Sequence, residues 1–189
     1  MAEDTAGEAA AGPFYDAAAA EFTTLIDTRH TLPTLYNMVN VPTAVWVDED
    51  GRIVRHDEDA YSAIHQAGTF TFGRDDYRPA VYDWVRNGAA SRYVQSPEEV
   101  LARIPSRTPD EARADPTFKL AVHFYLEGDL ERANRYWDEA QTLNPSSWNY
   151  HRQDWSFLDP AETGRNWLEK VQALDGKPYY KPLDFPDSP

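Results

Sequence analysis

A proline set directly before an apolar run constrains this chain more than any other feature. Residues 40–48 read Asn-Val-Pro-Thr-Ala-Val-Trp-Val-Asp, and the run after Pro42 is nearly continuous in apolar character, as in a strand covered on both faces. Pro42 has no N–H to offer a strand ladder, so its position beside a central strand needs a local reason. A cis peptide bond at Val41–Pro42 is one such reason. Asp48-Glu49-Asp50-Gly51 follows as a tight turn, in which Gly51 is free to take positive φ. Arg52-Ile53-Val54-Arg55-His56 then alternates polar and apolar, as expected nearer a sheet edge. Two short strands joined by such a turn predict a β-hairpin.

The flanking segments extend this pattern. The first dozen residues are small and acidic and read as loop, and the stretch behind Pro13 reads as a short helix. Residues 22–26, Phe-Thr-Thr-Leu-Ile, are apolar and β-branched and predict a short buried strand. Residues 27–38 predict a helix or broken helix with Leu32, Leu35 and Tyr36 facing inward. From about Asp57 the texture becomes helical, with Tyr77, Val81, Trp84 and Val85 on one face. Ser96-Pro97-Glu98-Glu99 and Thr108-Pro109-Asp110-Glu111 both have the capping-box pattern, and Asp115-Pro116 offers a competing helix start. Residues 159–176 form another capped helix ending near Gly176. The proline-rich tail 177–189 should lie extended, pinned by Tyr179, Tyr180 and Phe185.

The segment Leu35-Tyr36-Asn37-Met38-Val39-Asn40-Val41-Pro42-Thr43, with the strand, acidic-Gly turn and strand behind it, resembles the second half of a thioredoxin fold. It is most similar to the TlpA/ResA-like group of the AhpC/TSA-type thioredoxin superfamily. The resemblance covers roughly residues 1–70 and begins midway through the fold: the first strand and the helix that carries the redox motif have no counterpart. In that family the residue before the cis-proline offers its backbone N–H and C=O to an extended peptide. Val41 matches it, with Pro42 and Thr43 completing the loop. The family's chemistry needs a Cys-X-X-Cys motif or a selenocysteine or serine variant of it, and this chain contains no cysteine. Two explanations follow: the chain is the C-terminal portion of a longer thiol or selenol oxidoreductase, or a partner supplies the missing strands. The sheet edge so left open would pair copies of the chain into a homo-oligomer.

A second constellation, residues 114–146, resembles one tetratricopeptide repeat. Ala121, Phe124, Ala133, Trp137, Ala140 and Pro145 sit where small and aromatic residues pack, and Gly128-Asp129 makes the turn. One unit is too few for a solenoid, and an ordinary αα-hairpin explains the same residues. Tyr125 and Tyr136 are the candidate peptide contacts on this hairpin. The expected architecture is thus α/β then α. An incomplete thioredoxin-like sheet over 1–70 precedes a helical region over 71–175 that holds the TPR-like hairpin, and an extended tail covers 176–189.

Composition excludes several functions. The 18 basic and 32 acidic side chains leave a net charge of −14, a field that repels nucleic-acid phosphates and anionic lipid. Without cysteine there is no disulfide, thiolate nucleophile or thiolate-bound metal. No apolar run is long enough to span a membrane, no signal peptide is evident, and a cytoplasmic location is the expectation. The five histidines, His30, His56, His65, His123 and His151, form no metal-binding pair, and His123 reads as a packing or capping histidine. Asp48-Glu49-Asp50-Gly51 lacks the spacing and closing Glu of a calcium loop. Trp148, Arg152, Gln153 and Trp155 form an aromatic–polar cluster in which an arginine could stack on a tryptophan. No catalytic residue, cofactor or metal is expected. A carboxylate-based enzyme would be the remaining alternative, and no residues can be named for it. The functional expectation is a redox-inactive thioredoxin-like protein that binds a protein or an extended peptide.

Overall fold

The computed structural model describes residues 1–67, 70–104 and 106–186. The chain is mixed α/β, and the described strands form three separate two-stranded sheets. It divides into two compact units, Met1–Val39 with Arg107–Lys170 and Asn40–Ser106 with Val171–Pro189. Each unit is assembled from two stretches of chain, so the units cut across the linear partition at 70 and 175 that the sequence suggested.

The first unit opens with β1 (Ala2–Glu3), α1 (Glu8–Ala18) and β2 (Ile26–Asp27); the two strands pair in parallel, Ala2 with Ile26 and Glu3 with Asp27. The expected loop is therefore strand and helix: the alanines ahead of Pro13 carry the first turns, and Pro13 sits inside α1. The expected buried strand at 22–26 shrinks to two residues, because Phe22 and Leu25 are 71% and 55% exposed. Next comes α2 (Thr31–Tyr36), which buries Pro33 and leaves Leu35 exposed.

The core of this unit is the helical hairpin of α5 (Pro109–Leu126) and α6 (Leu130–Leu143). Thr108 and Glu111 complete their capping box, with Thr108 Oγ1 accepting the Glu111 N–H at 3.2 Å and Glu111 Oε2 accepting the Thr108 N–H at 2.8 Å. That start prevails over the one at Asp115, and Pro116 lies within the helix. Gly128 turns the chain with φ 80°, and Asp129 Oδ1 caps α6 by accepting the Arg132 N–H at 3.0 Å. Ala114, Ala121, Ala133 and Ala140 are fully buried, and Phe118, Val122, Trp137 and Tyr150 fill the core around them. Small residues let the two helices approach, and the aromatic rings make up the lost volume. Phe118 stacks on Tyr150 at 4.8 Å between ring centroids. His123, read as a packing or capping histidine, is exposed and lies in the last turn of α5, where its carbonyl accepts the N–H of the capping residue Glu127. Behind the hairpin, α7 (Asn149–Asp154), a 3-10 turn (Trp155–Phe157) and α8 (Pro160–Gln172) follow. Lys170 Nζ lies over the Trp148 ring, 4.8 Å from its centroid.

In the second unit, β3 (Thr43–Val47) and β4 (Ile53–Glu58) form the expected antiparallel hairpin around Gly51, which has φ 78°. Asp48 Oδ1 accepts the N–H groups of Asp50 and Arg52, so the acidic stretch is a turn. β3 is not covered on both faces: Trp46 is buried, but Val47 is 40% exposed. The chain does not turn helical at Asp57. It makes β5 (Ile64–Ala67) and β6 (Phe70–Gly73), a second antiparallel pair, to which Ile64, Thr71 and Phe72 bring β propensity. Only then comes α3 (Tyr77–Asn87), followed by a 3-10 turn (Gly88–Ala90) and α4 (Pro97–Arg103). Tyr77 and Ala80 are buried on α3, while Val85 is 71% exposed and lies off that face. Trp46 stacks on Trp84 at 4.9 Å. As expected, Ser96 and Glu99 cap α4. The tail beyond Gly176 is in no helix or strand as far as it is described and bends at Tyr179 and Tyr180, and its last three residues, 187–189, lie outside the described ones.

Candidate functional site

The loop ahead of β3 is held by its own side chains. Asn40 is fully buried; its Oδ1 accepts the Val41 N–H at 2.9 Å, and its Nδ2 donates to the Tyr179 carbonyl at 3.2 Å. Thr43 Oγ1 donates to the Asn40 carbonyl at 2.6 Å, and the Ala60 N–H donates to the Pro42 carbonyl at 3.3 Å. The Val41–Pro42 peptide is cis, as the sequence suggested. The Val41 carbonyl accepts the Tyr180 hydroxyl at 3.0 Å. Both backbone groups of Val41 that the resemblance assigns to a visiting peptide are thus engaged within the chain.

Next to this loop, β4 buries four consecutive polar residues, Arg55, His56, Asp57 and Glu58. In a strand, i and i+2 share a face, so Arg55 and Asp57 point the same way, and Arg55 Nε donates to Asp57 Oδ2. The register sets Trp46 across from Arg55 and Ala44 across from Asp57. Tyr77 of α3 donates its hydroxyl to Asp57 Oδ2 at 3.1 Å and accepts the Trp46 indole N–H at 3.0 Å. Burial, and then the adjacent Asp57 charge, push the Tyr77 phenol well above its ordinary pKa, so it stays a donor. From α4, Arg103 reaches the His56 carbonyl at 2.8 Å and Asp57 Oδ1 at 3.4 Å. Arg55 NH1 donates to the Tyr93 carbonyl at 2.7 Å.

The tail closes on this cluster. Asp184 Oδ1 takes Arg55 NH2 at 3.1 Å, Arg103 NH1 at 3.2 Å and Gln95 Nε2 at 3.1 Å. Phe185 stacks on Tyr77 at 5.7 Å and meets the edge of Tyr93 at 5.2 Å, with the guanidinium carbon of Arg55 4.8 Å from its centroid. The Lys181 N–H donates to Glu58 Oε2 at 3.2 Å, and Lys181 Nζ donates to the Arg103 carbonyl at 2.6 Å. Burial lowers the Lys181 pKa, against the pull of the Glu58 charge. Arg103 NH2 and Arg92 NH2 donate to the carbonyls of Pro182 and Pro186. Two guanidiniums sharing one buried carboxylate can hold an anion.

On the first unit, Tyr125 stacks on Phe157 at 3.8 Å and Tyr136 on Phe124 at 5.5 Å, and all four rings are half-buried. The candidate contacts therefore fall in two units: Val41, Pro42 and Thr43 in one, Tyr125 and Tyr136 in the other. Sequence reasoning missed Arg55, Asp57, Tyr77, Gln95, Arg103 and Asp184. Arg55 and Asp57 stand two residues apart on one strand face, but in a hairpin that also carries Asp48, Glu49, Asp50, Arg52 and Glu58 that spacing does not stand out.

Compared with protein-family models, with curated proteins and with solved structures, the chain finds no match.

Proposed function

We propose that this chain is a redox-inactive, thioredoxin-like protein-binding module with a helical extension, which takes an extended peptide alongside residues 41–43. The thioredoxin-like part of the reading is supported by the β1–α1–β2 unit with its parallel strands and by the order of loop, strand, turn and strand over residues 36–58. The TPR-like hairpin, with Tyr125 and Tyr136, would be the second contact surface. A chain without cysteine has no thiol with which to exchange a disulfide.

One observation carries the proposal. A segment of polypeptide outside any helix or strand already lies against the loop, with the Tyr179 carbonyl on Asn40 and the Tyr180 hydroxyl on Val41. The loop's polar groups therefore suit a chain that brings its own donors and acceptors. Self-association through the edges of the two-stranded sheets is a further partner of the same kind. The test is a titration of the isotopically labelled chain with short synthetic extended peptides, read by amide resonances. Binding should shift Val41 and Thr43, and no reduction of insulin should occur. Peptides that leave residues 40–43 and the two tyrosines unmoved, or insulin turnover above buffer, would end the proposal.

A further inference from the structure

Asp184 meets a charged seat that is assembled without it. Arg55 is oriented by Asp57 and the Tyr93 carbonyl, and Arg103 by the His56 carbonyl and Asp57, all within 53–103. The Arg55 and Arg103 side chains are 2% and 10% exposed, and the buried carboxylate between them cancels only one of their two charges. One positive charge is left for an incoming anion, and the half-exposed Asp184 carboxylate supplies it from the side that water also reaches. The neighbouring buried Glu58 takes the Lys181 backbone N–H. Gln95, also buried, turns its amide N–H toward the same anion, at 3.1 and 3.3 Å from the two Asp184 oxygens. Asp184 itself is 55% exposed, so the anion that fills the seat is the loosely held member of the group. Beside it, Tyr77, Tyr93, Arg55 and Arg74 surround the Phe185 ring.

Residues 179–186 bind as a ligand does. The hydrogen bonds that tie them to Asn40, Val41, Arg55, Glu58, Arg92, Gln95 and Arg103 each involve a side chain on one side or the other, and among the described residues the segment joins no strand. Pro178, Pro182 and Pro186 keep the segment out of regular structure and fix φ at three positions, which lowers the entropy lost when such a segment docks.

We infer that this seat, formed by Arg55, Tyr77, Tyr93, Gln95 and Arg103, is a receptor for an extended apolar–acid–aromatic segment of a partner protein. The tail's Leu183-Asp184-Phe185 occupies it in cis and competes with that segment. The inference rests on the peptide-binding reading above and adds to it the chemistry of the peptide and the means by which the site is kept closed.

The test uses the full chain and a fluorescent synthetic peptide with the sequence of residues 178–189. The wild-type chain should bind the peptide weakly. A chain carrying Asp184→Asn and Phe185→Ala should bind it at least about tenfold tighter, because the resident competitor is weakened. Replacing the peptide's residue equivalent to Asp184 by Asn, or its Phe by Ala, should each cost about tenfold or more, and Arg103→Gln in the receptor chain should do the same. Equal binding by wild type and variant overturns the competition. If the altered peptides bind as well as the parent, the acid–aromatic selectivity fails while the peptide-binding reading stands. If no peptide binds, both fail.

Hydrogen exchange on the wild-type chain gives a readout that does not depend on the variant's folding. The amides of Lys181 and Leu183 should exchange about 100-fold faster than those of Val54 and Arg55, through local release of the tail. Exchange at one common rate would make the tail part of the cooperative core and overturn the inference.

Discussion

Replacing Asp57 by Ala should do far more damage than replacing Asp184 by Ala, although both carboxylates contact the same two arginines. Asp57 is fully buried and lies between guanidiniums that are themselves nearly buried. Removing one partner of such a group leaves unpaired charge in a medium that solvates it poorly, at about 3–5 kcal/mol. The Tyr77 hydroxyl also loses its acceptor, worth about 1–3 kcal/mol when buried. The two costs share the same vacated volume, so about 4–6 kcal/mol is the working figure. Asp184 is more than half exposed, and water replaces it at about 1 kcal/mol or less. The assay should be native-state hydrogen exchange at the β4 amides, since a chain of two compact units is not expected to melt in one two-state step. At about 1.4 kcal/mol per decade, Asp57→Ala should cut β4 protection by roughly a thousandfold or abolish it, and Asp184→Ala by no more than about fivefold. Asp57→Asn, which keeps the shape and an acceptor for Tyr77, should fall between them. Equal losses for the two alanine variants would refute the claim that the arginine pair is organised from within 53–103.

Ala133→Leu should destabilise the α5–α6 hairpin by about 1–3 kcal/mol, because the site is fully buried and the interface has no room for three more carbons; exchange at the α5 and α6 amides measures it. Thr108→Ala removes the cap of α5 and should cost about 1 kcal/mol, with the first turn losing helicity before the rest. Glu3 gives a pH dependence. Burial, and then the Asp27 charge paired across β1–β2, raise its carboxyl from 4.5 to about 7. The native state thus keeps a proton that the unfolded chain releases. The associated stability is complete below pH 4.5 and is lost as pH rises through about 7. The ceiling is about 3 kcal/mol, and Glu3→Gln should flatten that slope in denaturation of the first unit measured from pH 4.5 to 7.

What could be read from the sequence were features whose cause is local. The turn at Gly51, the caps at Ser96 and Thr108, and the small residues Ala121, Ala133 and Ala140 each follow from one residue's geometry or volume, and each is present. Segments whose fate depends on partners far along the chain could not be read in this way. Residues 22–26 have the composition of a strand, but only Ile26 and Asp27 pair, and the apolar side chains before them face solvent. The β5–β6 pair lies in the stretch after Asp57 that reads as helical, because polar residues interrupt its apolar ones and no strand alternation stands out. Arg55 and Asp57 look like solvent-facing polar residues of an edge strand; they are buried where Arg103, from a helix 46 residues further on than Asp57, pairs with the Asp57 oxygen that Arg55 does not take. No local pattern carries that information.

The tail shows the same dependence from the other side. Pro178, Pro182 and Pro186 mark it as extended, and its tyrosines and phenylalanine mark it as pinned, but nothing in those residues specifies what pins them. The structure supplies the missing half: a cationic seat in a chain of net charge −14. Long-range repulsion from the rest of the surface works against an acidic peptide, whereas the contact with two desolvated guanidiniums works for it, and the second acts only within a few ångströms. A tethered tail avoids the repulsive approach altogether, since its local concentration is set by the short stretch after Gly176 and not by diffusion. An acidic segment on a separate protein must therefore either carry flanking positive charge, as the tail does in Lys181, whose ammonium feels the Glu58 charge, or meet a chain whose tail has already let go.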